Sequence, residues 1–403
     1  MTFRVAISGL NAAQADLAAT ANNIANSSTA GFKGSRVQFA ELYSGSGGGQ
    51  NSVGSGVKVA ATNQQFSQGA INFTDNGLDL AISGKGFFVV GDAESRAYTR
   101  AGAFKVDRNG YVVNAAEQRL QVFPPRTEGG FNTSATTDLK LTSGESAPSA
   151  TGRIDLTFNL PGNASVPAKT PFNPADAGTY NHSSAMTVYD SLGAAHTATV
   201  YLTKTGTANT WEKRLYVDGN AVGTPQTLEY STSGALVSPA GGELTYPSYT
   251  PTTGAAPITL AYDVGASTQY GNAFSVSAVN QDGYTTGRLI GVETNADGVV
   301  QARFTNGRSL ALGQIAIAQF ASVDGLQSAG DTSWSESFAS GSALLTAAGT
   351  SGAGAIQAGA LEASNVDVTQ QLVNMITAQR NFQANAKMIS TSDALAQTII
   401  NIR

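Results

Sequence analysis

A helical pattern of apolar positions fills the first 25 residues. The large apolar residues recur at intervals of seven, at Phe3, Leu10, Leu17 and Ile24. Such a repeat places them on one side of a helix and is typical of helices that pack against other helices. Most other positions hold Ala, Asn, Gln, Ser or Thr rather than the charged residues of a water-facing surface. The pattern predicts a helix over residues 3–25 whose apolar side, which includes Ile7, is covered by a partner.

The C-terminal residues carry a second pattern of the same kind. Apolar residues again recur at sevens, with two more on a neighbouring line of the same stripe: Val368, Met375, Phe382 and Ile389, then Leu372 and Ile400. Ser364 and Asp367 fit a capping box, in which Ser364 caps the helix and Asp367 lies at its positive end. Neither Gly nor Pro occurs from 365 to 403, so this segment predicts one helix of about 58 Å.

Two interpretations of these helices remain open from the pattern. Each helix packs on its own neighbouring domain, or the two pair with each other and with helices of other copies of the chain. Charged residues are sparse in both helices. Because a helix with few charges around its circumference is usually buried, the second interpretation is favoured.

Alternation of apolar and polar residues predicts β-strands through the middle of the chain. Clear examples are Ile154, Leu156, Phe158 and Leu160, and again Trp211, Lys213, Leu215 and Val217. An Asn109-Gly110 turn between two apolar runs predicts a hairpin over 104–113. The strand and turn pattern of the first β-rich segment ends near residue 145, and a similar pattern resumes near 285. The residues between these positions are therefore predicted to form an insertion.

These patterns predict an α+β, mainly β fold with nested domains. The terminal helices pair as a coiled-coil-like domain and enclose a β-rich domain, which carries a second β domain, a barrel or sandwich. The predicted boundaries are 1–30 plus 365–403 for the helical domain, 31–70 plus 355–364 for flexible connectors, 71–144 plus 285–354 for the β-rich domain and 145–284 for the inserted domain. The connectors include a Gly-rich stretch at 44–56.

Composition narrows the possible functions. Charged residues make up 13% of the 403 residues, and the net charge is -5, which disfavours nucleic-acid binding. Cysteine is absent and histidine occurs only at His182 and His196, so disulfides are excluded and a histidine metal centre is disfavoured. No apolar run has the length of a membrane span or of a cleaved secretory signal. We therefore expect no catalytic, cofactor-binding or metal-ligating residues.

A secreted carbohydrate-binding module is the main alternative of a different class. It requires exposed aromatic side chains, and the candidates, which do not cluster in sequence, are Trp211, Trp334, Tyr246 and Tyr249. The glycine-rich run at 84–86 leads into a predicted strand, so it predicts a tight turn rather than a phosphate-binding loop. His182 and His196 are predicted to be ordinary surface residues.

Four stretches of sequence form a specific combination. The first is 22–33, with the motif positions Asn23, Ile24, Asn26, Gly31 and Phe32; the others are 76–88, 98–104 and 364–387. In this combination the chain resembles the axial proteins of the bacterial flagellum, which build the rod, the hook and the hook-associated segments. The resemblance covers roughly 1–140 and 280–403, and residues 281–316 make it strongest to hook subunits.

The resemblance implies a structural role. Hook subunits polymerise into a flexible helical tube that acts as a universal joint, transmits motor torque to the filament and leaves an axial export channel. It implies that the apolar residues of the terminal helices pack between subunits. It implies as partners other copies of the chain, the hook cap, the distal rod, the hook–filament junction proteins and the flagellar type III export apparatus. An extracellular location reached without a cleaved signal peptide is also implied, and a distal rod subunit remains the alternative within the family.

Overall fold

The computed structural model describes residues 2–42, 54–91, 95–141 and 144–401, and within them the side chains from Phe3 to Thr398. Helix α1 spans Thr2–Ala25 and helix α2 spans Val368–Asn401. β-strands fill most of the chain between them. The predicted class, mainly β with a helix towards each end, is therefore confirmed. Most of the predicted Gly-rich connector 44–56, and the side chain of Ile400, lie outside the described residues.

The strands are numbered along the chain. Those before residue 145 are β1 Ser35–Glu41, β2 Val57–Gln64, β3 Ile71–Phe73, β4 Leu80–Ser83, β5 Phe87–Gly91, β6 Arg96–Thr99, β7 Lys105–Val106, β8 Val112–Val113, β9 Arg119–Phe123 and β10 Thr137–Asp138. The next are β11 Arg153–Pro161, β12 His182–Tyr189, β13 Ala195–Lys204, β14 Thr210–Val217, β15 Asn220–Tyr230, β16 Leu236–Ser238, β17 Glu243–Thr245, β18 Ala261–Asp263, β19 Thr268–Tyr270 and β20 Ser275–Gln281. The last are β21 Leu289–Thr294, β22 Val299–Phe304, β23 Ser309–Gln319, β24 Gln327–Gly330, β25 Ser333–Ser335, β26 Leu344–Ala347, β27 Ala355–Ala358 and β28 Ala360–Glu362.

Residue contacts divide the chain into two compact units. Unit 1 contains Met1–Ser143, Gly291–Arg303 and Ser309–Arg403, and unit 2 contains Gly144–Ile290 and Phe304–Arg308. The large sheet of unit 1 has the central strand order β22-β23-β9-β5-β6-β25-β24. Strand β5 is buried on both faces because Phe88 joins one hydrophobic cluster and Phe87 joins another. The predicted hairpin is present, with β7 paired to β8 across the Asn109-Gly110 turn.

Unit 2 consists of two five-stranded sheets with a common core. One sheet has the order β17-β18-β11-β19 with β20 also paired to β11, and the other runs from β12 to β16 in sequence order. The inward residues of β11 and β14 belong to one hydrophobic cluster, as their alternation predicts. Lys213 is buried among them, with its Nζ 3.4 Å from the Tyr246 hydroxyl and 3.4 Å from the centre of the Tyr262 ring. Burial lowers the pKa of Lys213 well below its usual value.

The segments 31–70 and 355–364, assigned to flexible connectors in the sequence analysis, contain paired strands instead. β1 and β2 form an antiparallel hairpin, β27 pairs with β4 and β28 pairs with β3. Within β1, buried Ser35 and Val37 alternate with exposed Arg36 and Gln38. The hairpin packs on α1. Local alternation does not identify this hairpin, because β2 is exposed along most of its length and the packing partner lies elsewhere in the sequence.

Helix α2 begins later than the predicted capping box requires. The Asp367 carboxylate accepts hydrogen bonds from the backbone amides of Thr369 at 2.8 Å and Gln370 at 3.1 Å, which is N-cap geometry. The Ser364 hydroxyl instead accepts from the amide of Val366. Asp367 is the cap because Asn365 is held outside the helix, where its amide group donates to the Gln65 carbonyl at 2.6 Å.

His196 is buried, contrary to the prediction of a surface residue. Its Nδ1 lies 2.6 Å from Oδ2 of Asp218 and its Nε2 lies 3.2 Å from Oδ2 of Asp190. It occupies the inward register of β13 that Ala198 continues, so strand periodicity could have identified it. His182 is half-buried and stacks on the Phe274 ring at 4.3 Å.

The histidine–aspartate cluster predicts how the stability of unit 2 depends on pH. Burial opposes ionisation of Asp190, but hydrogen bonds from Thr253, the Ala194 amide and His196 lower the pKa of Asp190 to about 2. Burial also opposes charging of His196, but its hydrogen bonds to Asp218 and Asp190 prevail and raise the pKa of His196. The contribution of Asp190 is lost as pH falls from its ordinary pKa of 3.8 to about 2. The contribution of His196 is complete below its ordinary pKa of 6.5 and is lost as pH rises through the raised value.

We therefore expect this cluster to stabilise unit 2 most strongly between about pH 4 and pH 6.5. Urea unfolding at a series of pH values measures this effect, with Trp211 as the fluorescent reporter in a Trp334→Phe background. The Asp190→Asn variant should lose less stability than the parent below pH 4, and His196→Gln should lose less above pH 7. Parallel curves for the parent and both variants would contradict the assignment.

Candidate assembly surface

Helices α1 and α2 pack antiparallel through small residues. Near the start of α1, a Cβ atom added to Gly9 would lie only 2.6 Å from Oδ1 of Asn385. Near the end of α1, the side-chain amide of Asn23 donates to Oε1 of Gln371 at 3.4 Å. Ala13 and Ala378 are buried. Small side chains therefore make the closest approach between the helices, and the larger apolar residues lie beside this line.

The apolar residues predicted to pack between subunits divide into two groups. Half-buried within the single chain are Leu10, Leu17, Ile24, Met375, Phe382 and Ile389. Exposed are Phe3, Ile7, Val368 and Leu372. The side chain of Ile400 lies outside the described residues. The helix pair thus covers part of the predicted stripe and leaves the rest accessible.

An exposed apolar surface at the start of α2 includes residues that the seven-residue repeat did not identify. We define the outer patch as Val368, Leu372, Val373 and Ile376, which are 41–54% exposed. Val368, Leu372 and Ile376 follow the four-residue spacing of one helix ridge. That spacing could have identified Ile376 from the sequence. Ile376 is about 200° around the helix from Ala378, which faces α1. Leu372, Val373 and Ile376 therefore point away from α1, and Val368 lies at the side of the helix.

A buried ion cluster joins the helix pair to the sheet of unit 1. Nζ of Lys33 lies 2.5 Å from Oε1 of Glu362, and Nη1 of Arg100 lies 3.1 Å from Oε2 of the same carboxylate. Lys33 also donates to the Ser67 carbonyl at 2.7 Å, and Arg100 donates to the Gly84 carbonyl at 2.7 Å. All three charged side chains are almost fully buried. The cluster brings together three of the sequence stretches that carry the family resemblance.

The electrostatics of this cluster depend on the carboxylate. Burial lowers the pKa of Lys33, and the hydrogen bond and charge of Glu362 oppose that shift. Burial also lowers the pKa of Arg100, again against the opposing effect of Glu362. Two buried cations therefore share one compensating anion, whose loss leaves both of them unpaired.

The motif residues of the first stretch hold the exit from α1. The side chain of Asn23 accepts from the Ser35 amide and donates to the Ser35 carbonyl, both at 2.8 Å. The side-chain amide of Asn26 donates to the Asn22 carbonyl at 3.0 Å and so extends the end of the helix. Gly31 has a φ of +69°, and a Cβ there would lie 2.3 Å from the Ala101 nitrogen.

The remaining motif positions have packing roles. Ile24 is a half-buried residue of α1, and Phe32 is half-buried at the start of the chain segment that leads to β1. The Phe32 carbonyl accepts from the Asn365 amide at 3.4 Å, so the motif connects directly to the segment before α2.

Other kinds of site find little support in the described residues. Trp211, Trp334 and Tyr246, three of the four aromatic candidates for sugar binding, are buried. No group of three or more His, Asp or Glu side chains in the described segments is placed to hold a metal ion. None of the described helices combines the length and apolar character needed to cross a membrane. The exposed apolar surface on the helix pair is thus the main candidate for function.

Family models match most of the chain. They are "Flagella basal body rod protein" at 3–33, "Flagellar hook protein FlgE/F/G D1 domain" at 81–165, "Flagellar basal body protein FlaE D2 domain" at 159–284 and "Flagellar basal body rod FlgEFG protein C-terminal" at 357–402. Most of the helix pair, the three charged residues of the buried ion cluster and the core of unit 2 fall within these matches.

Full-length relatives agree with the family models. The chain is 39% identical over 415 residues to the flagellar hook protein FlgE of Escherichia coli K12, with 100% of both chains covered. It is 32% identical over 460 residues to the FlgE of Treponema pallidum, with 98% of both covered. The crystal structure of the Helicobacter pylori flagellar hook protein FlgE2 has a similar fold, with a TM-score of 0.53 at 14% identity, over 71% of this chain and 99% of that one. Because relatives at 32–39% identity cover 98–100% of its length, the chain belongs to the flagellar hook protein FlgE family.

Proposed function

We propose that this chain is a structural subunit of the flagellar hook and that it self-assembles through its terminal helices. The observation that carries the proposal is the outer patch, four apolar side chains left exposed on a helix that already packs on α1 with another face. A helix that is apolar on more than one face is normally buried on each of them. Membership in a family of hook proteins supports other subunits as the molecules that cover it.

The energetics support assembly over a free monomer. Covering the exposed half of each patch side chain contributes roughly 1 kcal/mol. The sparse charge of α1 and α2 adds little desolvation cost when the surface is covered. Repetition of the contact at every subunit turns a modest gain per residue into a stable polymer.

The finer features of the role follow from the family resemblance. We propose that the helix pairs form the inner wall of a tube around an axial export channel and that the tube bends as a universal joint between motor and filament. The partners would be the hook cap, the distal rod, the hook–filament junction proteins and the type III export apparatus, with export to the cell exterior without a cleaved signal. The domain boundaries at 30, 70, 144, 284, 354 and 364 also belong to this proposal, with paired strands rather than flexible chain in 31–70 and 355–364.

The Ile376→Asp variant tests self-assembly through the outer patch. We expect it to remain folded, because Ile376 is exposed, and to lose polymerisation, because the carboxylate would be desolvated at the contact. Sedimentation and electron microscopy of purified protein measure the loss. Val166→Asp is the matched control, since Val166 is 51% and Ile376 50% exposed but Val166 lies in a loop of unit 2. Unchanged polymerisation of Ile376→Asp would refute the proposal.

The shape of the polymer distinguishes the remaining alternatives. Curved tubes of the parent protein in electron micrographs support a hook subunit, whereas straight tubes favour a distal rod subunit. Absence of polymer together with binding of the protein to a glycan array would support the carbohydrate-binding alternative instead.

A further inference from the structure

A cleft in unit 1 combines aromatic rings with positive charge. It has a volume of about 310 Å³, and its walls include Phe66, Phe87 and Phe320 together with Lys85 and Arg100. The Phe87 ring meets the rings of Phe66 and Phe320 edge to face, with centroid distances of 5.6 and 6.0 Å. Aromatic rings prefer this geometry, so a further ring that enters the cleft has favourable partners.

The positive charge of the cleft is not balanced. Arg100 belongs to the buried ion cluster, in which two cations share the single carboxylate of Glu362, so one positive charge is in excess. Nε of Arg100 has no hydrogen-bond partner among the described residues. Lys85 is exposed and forms no ion pair with any of them. The cleft therefore favours an apolar group with a negative charge beside it.

Phe73 and Asp75, which we call the aromatic–acid pair, offer this chemistry. Phe73 ends β3 and is 78% exposed. Asp75 is exposed, and its carboxylate forms no ion pair within the described segments. The side-chain hydrogen bonds of Thr74 and Asn76 go to Asp79 instead. The pair is thus a large apolar side chain and an unpaired anion two residues apart.

The strand ladder of β4 and β27 separates the cleft from the aromatic–acid pair. The Lys85 carbonyl accepts from the Gly354 amide at 2.8 Å, just before β27 begins. The amide of Thr74, within the pair, donates to the Gly359 carbonyl at 2.7 Å, just after β27 ends. The strand from Gly354 to Gly359 spans about 17 Å. The two surfaces are therefore at opposite ends of the ladder, and contact between them requires a second copy of the chain.

Phe338 is the other strongly exposed phenylalanine of the described segments, but it fits this role less well. Its loop lies beside the cleft, because the Ser340 carbonyl accepts from the amide of Ser322, whose two neighbours line the cleft. A ring and a cleft on the same side favour a two-fold pair, which closes and does not extend. The nearby Glu336 carboxylate already accepts from the Tyr98 hydroxyl at 3.2 Å.

We propose that the aromatic–acid pair of one subunit docks in the cleft of the next, with the Phe73 ring among the three phenylalanines and Asp75 paired to Lys85. The inference rests on the proposed self-assembly and adds a contact between β-rich parts of neighbouring subunits. A second copy of this chain is the occupant because the two surfaces match in polarity and charge and lie at opposite ends of one ladder. Contact between two different surfaces repeats without closing and so produces an open polymer.

Carbodiimide cross-linking of the parent protein tests the contact directly, because this reagent joins a carboxylate to an amine only where the two already touch. Polymer is made from a mixture of isotopically labelled and unlabelled chains. We expect an Asp75–Lys85 cross-linked peptide with one labelled and one unlabelled half, formed in polymer and absent from dilute monomer. Lys169 and Asp176, an exposed ion pair at 2.9 Å within one chain, are the control and should cross-link in both. Polymer that gives only the control cross-link overturns this contact and leaves self-assembly intact.

Charge exchange tests the pairing independently. Asp75→Lys and Lys85→Asp should each raise the critical concentration for polymerisation about tenfold or more, because like charges would meet at the contact. The double variant should return to within about threefold of the parent, because the pair is restored in reverse. Glu117→Arg, an exposed charge reversal in a turn of the same unit, is the control. A double variant no better than either single variant overturns the pairing.

Removal of the ring tests the aromatic part of the contact. Phe73→Ala should raise the critical concentration about tenfold, because an aromatic side chain that fills a pocket is a typical anchor of an interface. Phe338→Ala removes an even more exposed ring and should change the critical concentration less than about twofold. Equal effects of the two variants overturn the docking of Phe73. Failure of the parent itself to polymerise would instead refute the proposed self-assembly.

Discussion

In the Glu362→Gln variant, the free energy of unfolding of unit 1 is expected to fall by about 3–5 kcal/mol. Glutamine keeps the shape of the side chain but leaves Lys33 and Arg100 as buried cations without an anion. Lost pairing, rather than lost packing, is the cause of the effect. The Lys33 ammonium and the Arg100 guanidinium would retain only their hydrogen bonds to backbone carbonyls.

Urea unfolding in a Trp211→Phe background measures this loss, because Trp334 then reports on unit 1 alone. Glu293→Gln provides the control, since it removes an exposed ion pair with Arg303 and should cost less than about 1 kcal/mol. Similar losses in the two variants would show that the buried cluster contributes no more than a surface pair.

Substitution of Gly31 by alanine is expected to cost about 2–5 kcal/mol, the sum of a left-handed backbone and a steric overlap. The φ of Gly31 is +69°, and the new Cβ would approach the Ala101 nitrogen at 2.3 Å. Since that nitrogen belongs to the backbone, the overlap is relieved only by moving the exit of α1 away from the sheet. Helix pairing and polymerisation should weaken together with stability.

A glycine of similar conformation separates the two contributions. Gly130 has a φ of +76°, but a Cβ there meets nothing within 4 Å. Gly130→Ala should therefore lose only about 1–2 kcal/mol. Thermal and urea unfolding of both variants give the comparison. Equal losses would mean that the close approach of Gly31 to Ala101 adds nothing.

Local periodicity was enough to predict much of this fold. The alternation in β11 and β14 and the turn at Asn109-Gly110 depend on neighbouring residues, and they appear as predicted. The small residues between the large apolar positions of α1, such as Ala13, are the ones that the helix pair buries. Each of these features depends only on residues that are close together in the sequence.

Features that depend on distant residues were missed. The β1–β2 hairpin is stabilised by packing on α1, a contact that no local pattern shows. The ion cluster joins Lys33 to a carboxylate 329 positions away, and no local pattern marks either residue as a partner of the other. The outer patch of α2 was half identified, because the seven-residue repeat selected Val368 and the neighbouring line of the stripe selected Leu372, but neither selected Val373 or Ile376.

The wide separation in sequence of the residues in the ion cluster also affects when a newly made subunit completes its folding. Closing a loop of more than three hundred residues costs entropy that earlier contacts must offset. We therefore expect the ion cluster to form late in folding. A chain that emerges gradually from a ribosome or a narrow passage cannot bring Lys33 to Glu362 until nearly all of its sequence is free. The cluster therefore depends on a nearly complete chain. A chain that stops short of Glu362 keeps two cations with no anion to neutralise them, and it also lacks the whole of α2.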